Sequence, residues 1–146
     1  MDEFNVDKEV VFGVISGRVS TAINRRLYRD FRTSELAITP EQWTILLFLS
    51  FRDGITQQEL ANITFKDRPS ITRLLDNMEK RSLIARLADK TDKRSNLIYI
   101  TKIGSAIHQK ANEIALKTMK VALNGITEEE VKIGEQILKK IFKNLE

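Results

Sequence analysis

The sequence predicts a mainly α fold with one small β-hairpin: a helix-turn-helix lobe carrying a hairpin wing, flanked at both ends by long helices. Three observations predict it. In residues 67–81, Ile71, Leu74, Leu75 and Met78 recur at helical spacing as one apolar stripe, with Arg68, Ser70, Thr72, Arg73, Asp76, Asn77 and Lys80 on the other side. Two strand-forming runs, Leu83–Ala88 and Asn96–Ile100, follow, joined by the charged tip Asp89–Arg94. Long amphipathic segments then stand at both ends of the chain, with more apolar surface than a small lobe can cover.

Residues 7 to about 33 read as one helix, with Val10, Val11, Val14, Ile15, Val19, Ala22, Ile23, Leu27 and Phe31 at helical spacing. At about 1.5 Å per residue it is nearly 40 Å long, so its far end needs a partner, which points to another subunit. Arg25, Arg26, Arg29 and Arg32 cluster near its C-terminus, where cations complement the helix dipole. Three later helix starts share one grammar: Ile38-Thr39-Pro40-Glu41-Gln42-Trp43, Ile55-Thr56-Gln57-Gln58-Glu59-Leu60 and Ile126-Thr127-Glu128-Glu129-Glu130-Val131. Each has Thr at the N-cap, Gln or Glu at N3, and apolar residues placed to staple the turn. Each cap is worth about 1 kcal/mol.

The helix after Thr39 is apolar nearly all round (Trp43, Ile45, Leu46, Leu47, Phe48, Leu49, Phe51), so it is buried on most sides, and Asp53-Gly54 ends it. A short helix from Gln57 to about Ile63 follows. Phe65-Lys66 is the turn, Asp67 caps the next helix, and Pro69 sits in its first turn, where a missing N–H costs nothing. The hairpin must lean on these helices, since two strands alone are marginal. At its tip, Asp92 and Arg94 fall on the same side of an extended segment, so their side chains can pair and leave Lys90 and Lys93 free. Thr101-Lys102-Ile103-Gly104 opens a helix to about Leu123, with Ile103, Ile107, Ala111, Ile114, Thr118 and Val121 on one face. After Asn124-Gly125 the last helix runs from Glu128 to Leu145.

Composition narrows the function. The 146 residues carry a net charge of +4, but placement says more: residues 66–102 hold ten Lys/Arg against five Asp/Glu, while the remaining 14 and 15 nearly cancel. Positive charge is thus concentrated on the second helix of the pair and the hairpin, as a polyanion partner requires; a solvated basic face is the plainer alternative. With no cysteine there is no disulfide, thiolate metal site or thiol switch, and a single histidine, His108, excludes a His-rich cluster. No glycine-rich phosphate loop and no cysteine nucleophile occur, so no catalytic residue, cofactor or metal is expected. No apolar run reaches the roughly 18 residues of a membrane span. The start, MDEFNVDKEVV, is acidic and too poor in apolar residues for a signal peptide. A cytoplasmic protein is expected.

The run Ser70-Ile71-Thr72-Arg73-Leu74-Leu75-Asp76-Asn77-Met78-Glu79-Lys80-Arg81-Ser82-Leu83-Ile84-Ala85-Arg86, the wing motif Asp92-Lys93-Arg94 and the helix start Thr101-Lys102-Ile103-Gly104 resemble the MarR family of winged helix-turn-helix transcriptional regulators. The resemblance covers nearly the whole chain. Ser82 stands where the family usually has Gly, at a joint that favours a left-handed backbone, Ile100 replaces a Leu, and Pro69 lies in the recognition helix. The resemblance implies one domain over residues 1–146: a winged helix-turn-helix lobe at about 39–101, and dimerisation helices at about 7–33 and 102–146. It further implies a homodimer that binds double-stranded DNA at a pseudo-palindromic operator, usually as a repressor. Many such proteins release DNA on binding a small hydrophobic or phenolic effector, in a pocket that here falls near Phe12, Trp43, Phe48 and His108; core packing is the other use for these residues.

The residues themselves then divide the work. Arg68, Pro69, Ser70, Thr72 and Arg73 form the recognition-helix set, with Ser70, Thr72 and Arg73 best placed to read base edges. Lys66, Lys90, Lys93 and Arg94, together with Arg68, supply phosphate affinity that is salt-sensitive and blind to sequence. Asp92 and Arg94 shape the wing. The competing reading is a protein-binding adaptor that uses the same lobe without recognising DNA sequence.

Overall fold

Five side chains set where five of the six helices begin. In the computed structural model, which describes residues 7–146, the elements run α1 (Lys8–Thr33), α2 (Pro40–Phe51), β1 (Ile55–Thr56), α3 (Gln57–Ile63), α4 (Arg68–Lys80), β2 (Ile84–Ala88), β3 (Asn96–Ile100), α5 (Lys102–Ala122) and α6 (Glu128–Leu145). The opening Met1–Val11 stretch, read above as acidic and poor in apolar residues, lies largely outside the described residues. Thr39, Thr56 and Thr127 each accept the N3 backbone N–H, while Gln42, Glu59 and Glu130 accept the cap N–H in return, so all three expected capping boxes form. Asp67 caps α4 through Ser70 N, and Thr101 caps α5 through Gly104 N.

The core lies where α2, α3 and α4 meet the sheet and the ends of α1 and α5. Ile45, Leu46 and Leu49 of α2, Leu60 of α3, and Ile71, Leu75 and Met78 of α4 are buried with Ile55, Leu83, Ile84 and Ile98. Leu27 and Phe31 of α1 and Ala111 and Ala115 of α5 join them. The stripe expected from residues 67–81 therefore faces the core, with Leu74 at its half-buried edge. Each fully buried Leu or Ile contributes at most about 1.5–3 kcal/mol from burial.

The sheet has three strands where the sequence suggested two. β1 pairs antiparallel with β3 (Ile55 opposite Ile98, Thr56 opposite Leu97), and β3 with β2 (Ile84 opposite Ile100, Arg86 opposite Ile98, Ala88 opposite Asn96). Ile55 and Thr56 were read only as staple and cap. A cap residue is extended, however, here with φ −67° and ψ 152°, so its backbone is also free to pair as a strand. The turn before it docks on the same strand: Gly54 N donates to Ile98 O at 3.0 Å, and Asp53 Oδ1 accepts from Ile100 N at 2.9 Å.

At the α4–β2 joint Ser82 adopts φ +58°, the left-handed conformation that the family's glycine would take more cheaply. Its carbonyl accepts from Thr101 Oγ1 at 2.5 Å, and Leu83 N closes the helix end on Met78 O at 2.9 Å. Gly104 is required beside it, because a Cβ there would stand 2.0 Å from Leu83 O.

Outside the core the helices are bare. From Lys8 to Ala22 every residue of α1 except Ser16 is exposed, including Val10, Val11, Phe12, Val14, Ile15 and Val19. α6 has no buried residue, and Val131, Ile133, Ile137, Leu138, Phe142 and Leu145 are exposed on it. Of the face expected on α5, Ala111 and Thr118 are buried and Ile107 and Ile114 half-buried, but Ile103 and Val121 are open to solvent.

Candidate nucleic-acid interface

α4 offers its N-terminal half beside the wing because three polar side chains from other elements hold it there. Gln57 Nε2, at the start of α3, donates to Thr72 Oγ1 at 2.7 Å. Arg86 of β2 reaches back across α4: Nη1 lies 2.5 Å from Asp76 Oδ1 and 3.5 Å from Glu79 Oε1, and Nη2 donates to Thr72 O at 3.3 Å. The Arg86 side chain is only 15% exposed, so the wing is fastened to α4 by a largely buried cation. On the opposite flank Gln42 Nε2 donates to Asn77 Oδ1 at 2.9 Å.

Held this way, Arg68, Pro69 and Arg73 are exposed and Ser70 and Thr72 half-buried. Arg68 and the wing residue Arg94 line one crevice of about 150 Å³ between α3, the start of α4 and the base of the wing, with Gln57, Gln58, Ser95 and Asn96. Ser70 and Arg73 line a groove on the other flank with Lys66 and the start of α2. The structure thus brings Arg68 of the helix and Arg94 of the wing into one crevice, with Ser70 and Arg73 on the other flank of α4. Among the described residues Arg68, Arg73, Lys90, Lys93 and Arg94 take part in no ion pair, so their charge is available to a polyanion.

Three assignments change. Lys66, expected as a free phosphate ligand, is 21% exposed and paired with Glu41 Oε2 at 3.1 Å. The charge count of residues 66–102 omitted Glu41, which the fold brings alongside. Thr72 is not a free hydroxyl opposite the stripe: α3 covers it, and its oxygen accepts from Gln57. The Asp92–Arg94 pair forms through the backbone. Asp92 Oδ1 accepts Arg94 N at 3.0 Å and Asp92 O accepts Ser95 N at 3.0 Å, so the chain turns at the tip and the guanidinium stays outside the turn. Asp89 supports the same turn by accepting from Thr91 N at 3.0 Å and Thr91 Oγ1 at 2.8 Å, bonds that hold its carboxyl below the usual carboxylate range. Asp67 is lowered likewise, first by its cap bond with Ser70 and further by the nearby Arg73 and Lys66.

The pocket candidates separate. Trp43 packs edge-on against Phe31, with ring centroids 6.2 Å apart, and both Trp43 and Phe48 lie against the core. His108 is half-buried and its pKa is lowered by desolvation. Phe12 is exposed on the bare half of α1, about 22 Å of helix from Leu27. Trp43 Nε1 and His108 Nε2 are buried with no hydrogen-bond partner. Among the described residues no group of three or more His, Asp or Glu side chains could hold a metal ion, and no helix is long and apolar enough to cross a membrane.

Sequence reasoning missed Gln57, Arg86 and Asn77 as the residues that seat α4. Gln42 was read only as a capping residue. Each bonds a partner distant in sequence, and no local spacing marks such a bond.

Comparisons with known proteins agree with this geometry. The family model described as "MarR family" matches residues 38–95, the stretch from the start of α2 to the wing. The chain is 25% identical over 130 residues to YybA of Bacillus subtilis (strain 168), an uncharacterized HTH-type transcriptional regulator, covering 89% of this chain and 85% of that one. It is similar to the crystal structure of the transcriptional regulator PA3341, with 34% identity, 92% and 97% of the two chains covered and a TM-score of 0.79. It also superimposes on a mutant of E. coli MarR complexed with operator DNA, with 27% identity, 97% and 99% covered and a TM-score of 0.82. With both the helix-turn-helix and its wing matched, and the flanking helices superimposing over almost their whole length, the chain belongs to the MarR family of winged helix-turn-helix transcriptional regulators.

Proposed function

We propose that this DNA-binding transcriptional regulator is a repressor that binds a pseudo-palindromic operator as a homodimer, with α4 in the major groove and the wing on the adjacent minor groove or its phosphates. The observation that carries this reading is the crevice that brings Arg68 of α4 beside Arg94 of the wing, with Arg73, Lys90 and Lys93 exposed and likewise in no ion pair among the described residues. Arg73 is the base reader, able to make a bidentate contact to guanine worth roughly 1–3 kcal/mol of discrimination. Ser70 stands beside it, Thr72 positions the helix through Gln57, and the wing cations and Arg68 supply salt-sensitive affinity.

Dimerisation is supported by the apolar residues left bare on the first half of α1 and along α6. A second copy covers them and sets the half-sites about 34 Å apart, one turn of the duplex. Release by a small hydrophobic or phenolic effector belongs to the same proposal. Trp43 Nε1 and His108 Nε2, each buried without a hydrogen-bond partner, are the polar atoms offered to such a ligand. Such a ligand acts only if it binds the DNA-competent and released states with different affinity.

The test is fluorescence anisotropy with the duplex upstream of the protein's own gene and a scrambled duplex, over a salt series, for wild type and Arg73→Ala. Tight binding to the native duplex that the variant selectively loses is the expected result. Equal, weak, salt-steep binding to both would overturn sequence reading and favour the adaptor, whose basic wing meets nucleic acid by charge alone. Phenols titrated into the bound complex test release; unchanged anisotropy at saturating ligand refutes it for that class.

A further inference from the structure

We infer that Gln42 is a positioning residue for DNA recognition: it joins the start of α2 to the recognition helix and fixes the angle at which α4 is presented. The inference rests on the DNA-binding reading above and deepens it.

Gln42 is 6% exposed, and only Thr118 shares with it the standing of a buried polar residue among those described. Its amide is used at both ends. Oε1 accepts from Thr39 N at 3.1 Å, closing the capping box of α2, and from Arg81 Nη1 at 3.2 Å. Nε2 donates to Asn77 Oδ1 at 2.9 Å. Arg81, at the C-cap of α4, also donates through Nη2 to Ala37 O in the α1–α2 connection. One side chain therefore ties the α1–α2 connection and the first turn of α2 to the last turn of α4.

A capping box needs only an acceptor at N3, which Glu supplies as well as Gln, as at the starts of α3 and α6. At α2 the side chain serves a second bond as well, and its far end faces Asn77. Burying that group is costly unless every bond is made, so a half-satisfied Gln42 would be worse than an apolar residue. Bonds of this kind have direction, which apolar packing lacks. The stripe of Ile71, Leu75 and Met78 holds α4 on the core, and Gln57 and Arg86 hold its wing side. Asn77 and Arg81 are one turn apart on α4 and both bonded to Gln42, which restrains roll from the α2 side. Arg73 is one turn further toward the N-terminus on the same side, lining with Gln42 and Asn77 the groove beside α4.

The experiment compares wild type with Gln42→Leu, Gln42→Glu and Asn77→Ala as full chains. The first measurement is the ratio of affinities for native and scrambled duplexes; the second is amide hydrogen exchange in free protein, resolved by segment. Gln42→Leu is expected to lower the affinity ratio at least about fivefold, the lower end of one lost base contact. Affinity for the scrambled duplex should stay within about twofold, because phosphate contacts do not depend on helix roll. Protection should fall in residues 68–81 and, through the lost half of the capping box, in the first turn of α2, and hold in the rest of α2. Gln42→Glu should restore most of both, since it still accepts from Thr39 N and Arg81 while Asn77 turns its amide to donate. Asn77→Ala, at an exposed position that threatens folding less, should reproduce the loss in part. An unchanged ratio and unchanged α4 protection in folded Gln42→Leu and Asn77→Ala overturn the inference. If wild type shows no preference between duplexes, the sequence-reading proposal itself fails. The exchange data then still decide whether Gln42 anchors α4.

Discussion

Replacing Arg86 by Met asks whether the wing is fastened to α4 by charge or merely by packing. The Arg86 side chain is 15% exposed, while Asp76 and Glu79 are 50% and 44% exposed. An exposed pair is worth about 0–1 kcal/mol and breaking a fully buried one costs about 3–5 kcal/mol. Here the cation is buried and its carboxylates half in water, so about 2 kcal/mol is at stake. Two effects reduce the loss. Met fills the volume of the aliphatic stem, and removing the guanidinium also removes Nε, a buried N–H with no acceptor, which recovers up to about 1 kcal/mol. The expected net destabilisation is about 1–2 kcal/mol, roughly 2–8 °C in Tm for a domain of this size. It should be measured by urea unfolding followed by circular dichroism, at fixed protein concentration because dimerisation adds to apparent stability. Arg86→Lys should recover little, because one ammonium cannot reach Asp76, Glu79 and Thr72 O in the same fork. If Arg86→Met lies within about 0.3 kcal/mol of wild type, the polar clasp contributes nothing net and packing alone seats the wing.

Gly104→Ala should cost at least about 1–3 kcal/mol in the same assay, because its Cβ would stand 2.0 Å from a backbone carbonyl; a neutral result would mean that the joint at Ser82 and Leu83 shifts freely. Burial lowers the His108 pKa, so the unfolded chain binds its proton at higher pH than the folded one. Stability should therefore fall as pH drops from about 6.5 toward the folded value, and His108→Gln should remove that slope. Asp30 is lowered chiefly by the Thr118 hydroxyl at 2.6 Å, then by Arg26 and Arg29. Its contribution is present above the unfolded pKa near 4 and lost as pH falls through the folded value, so Asp30→Asn should be less stable at pH 7 and converge on wild type in acid. Leu138→Asp on α6 should shift the sedimentation of the native protein from dimer to monomer, and an unshifted dimer would remove α6 from the interface.

What the sequence made legible was whatever depends on residues within about four positions of each other. Three capping boxes, the Asp67 and Thr101 caps and the stripe on α4 were all readable, because helical geometry brings those residues together whatever the rest of the chain does. The resemblance added the order of the elements and the role of the hairpin. The misreadings came from contacts between segments. Thr72 looked like a free hydroxyl until α3 supplied Gln57, and Lys66 looked like a free cation until α2 supplied Glu41. Arg94 was expected to bond Asp92 by charge, but a turn brings its backbone N–H to the carboxylate first. Two of these contacts occupy a side chain and one leaves it free: Gln57 bonds Thr72 and Glu41 pairs with Lys66, while the turn leaves the Arg94 guanidinium without a carboxylate. The proposed reading surface consequently has fewer unoccupied polar groups around α4 than its composition implied. Arg73 keeps its unpaired charge on that surface while Thr72, Asn77 and Arg81, on either side of it, are occupied in holding the helix still. A base-reading arginine depends on such neighbours, because a bidentate contact is lost when the helix beneath it rolls.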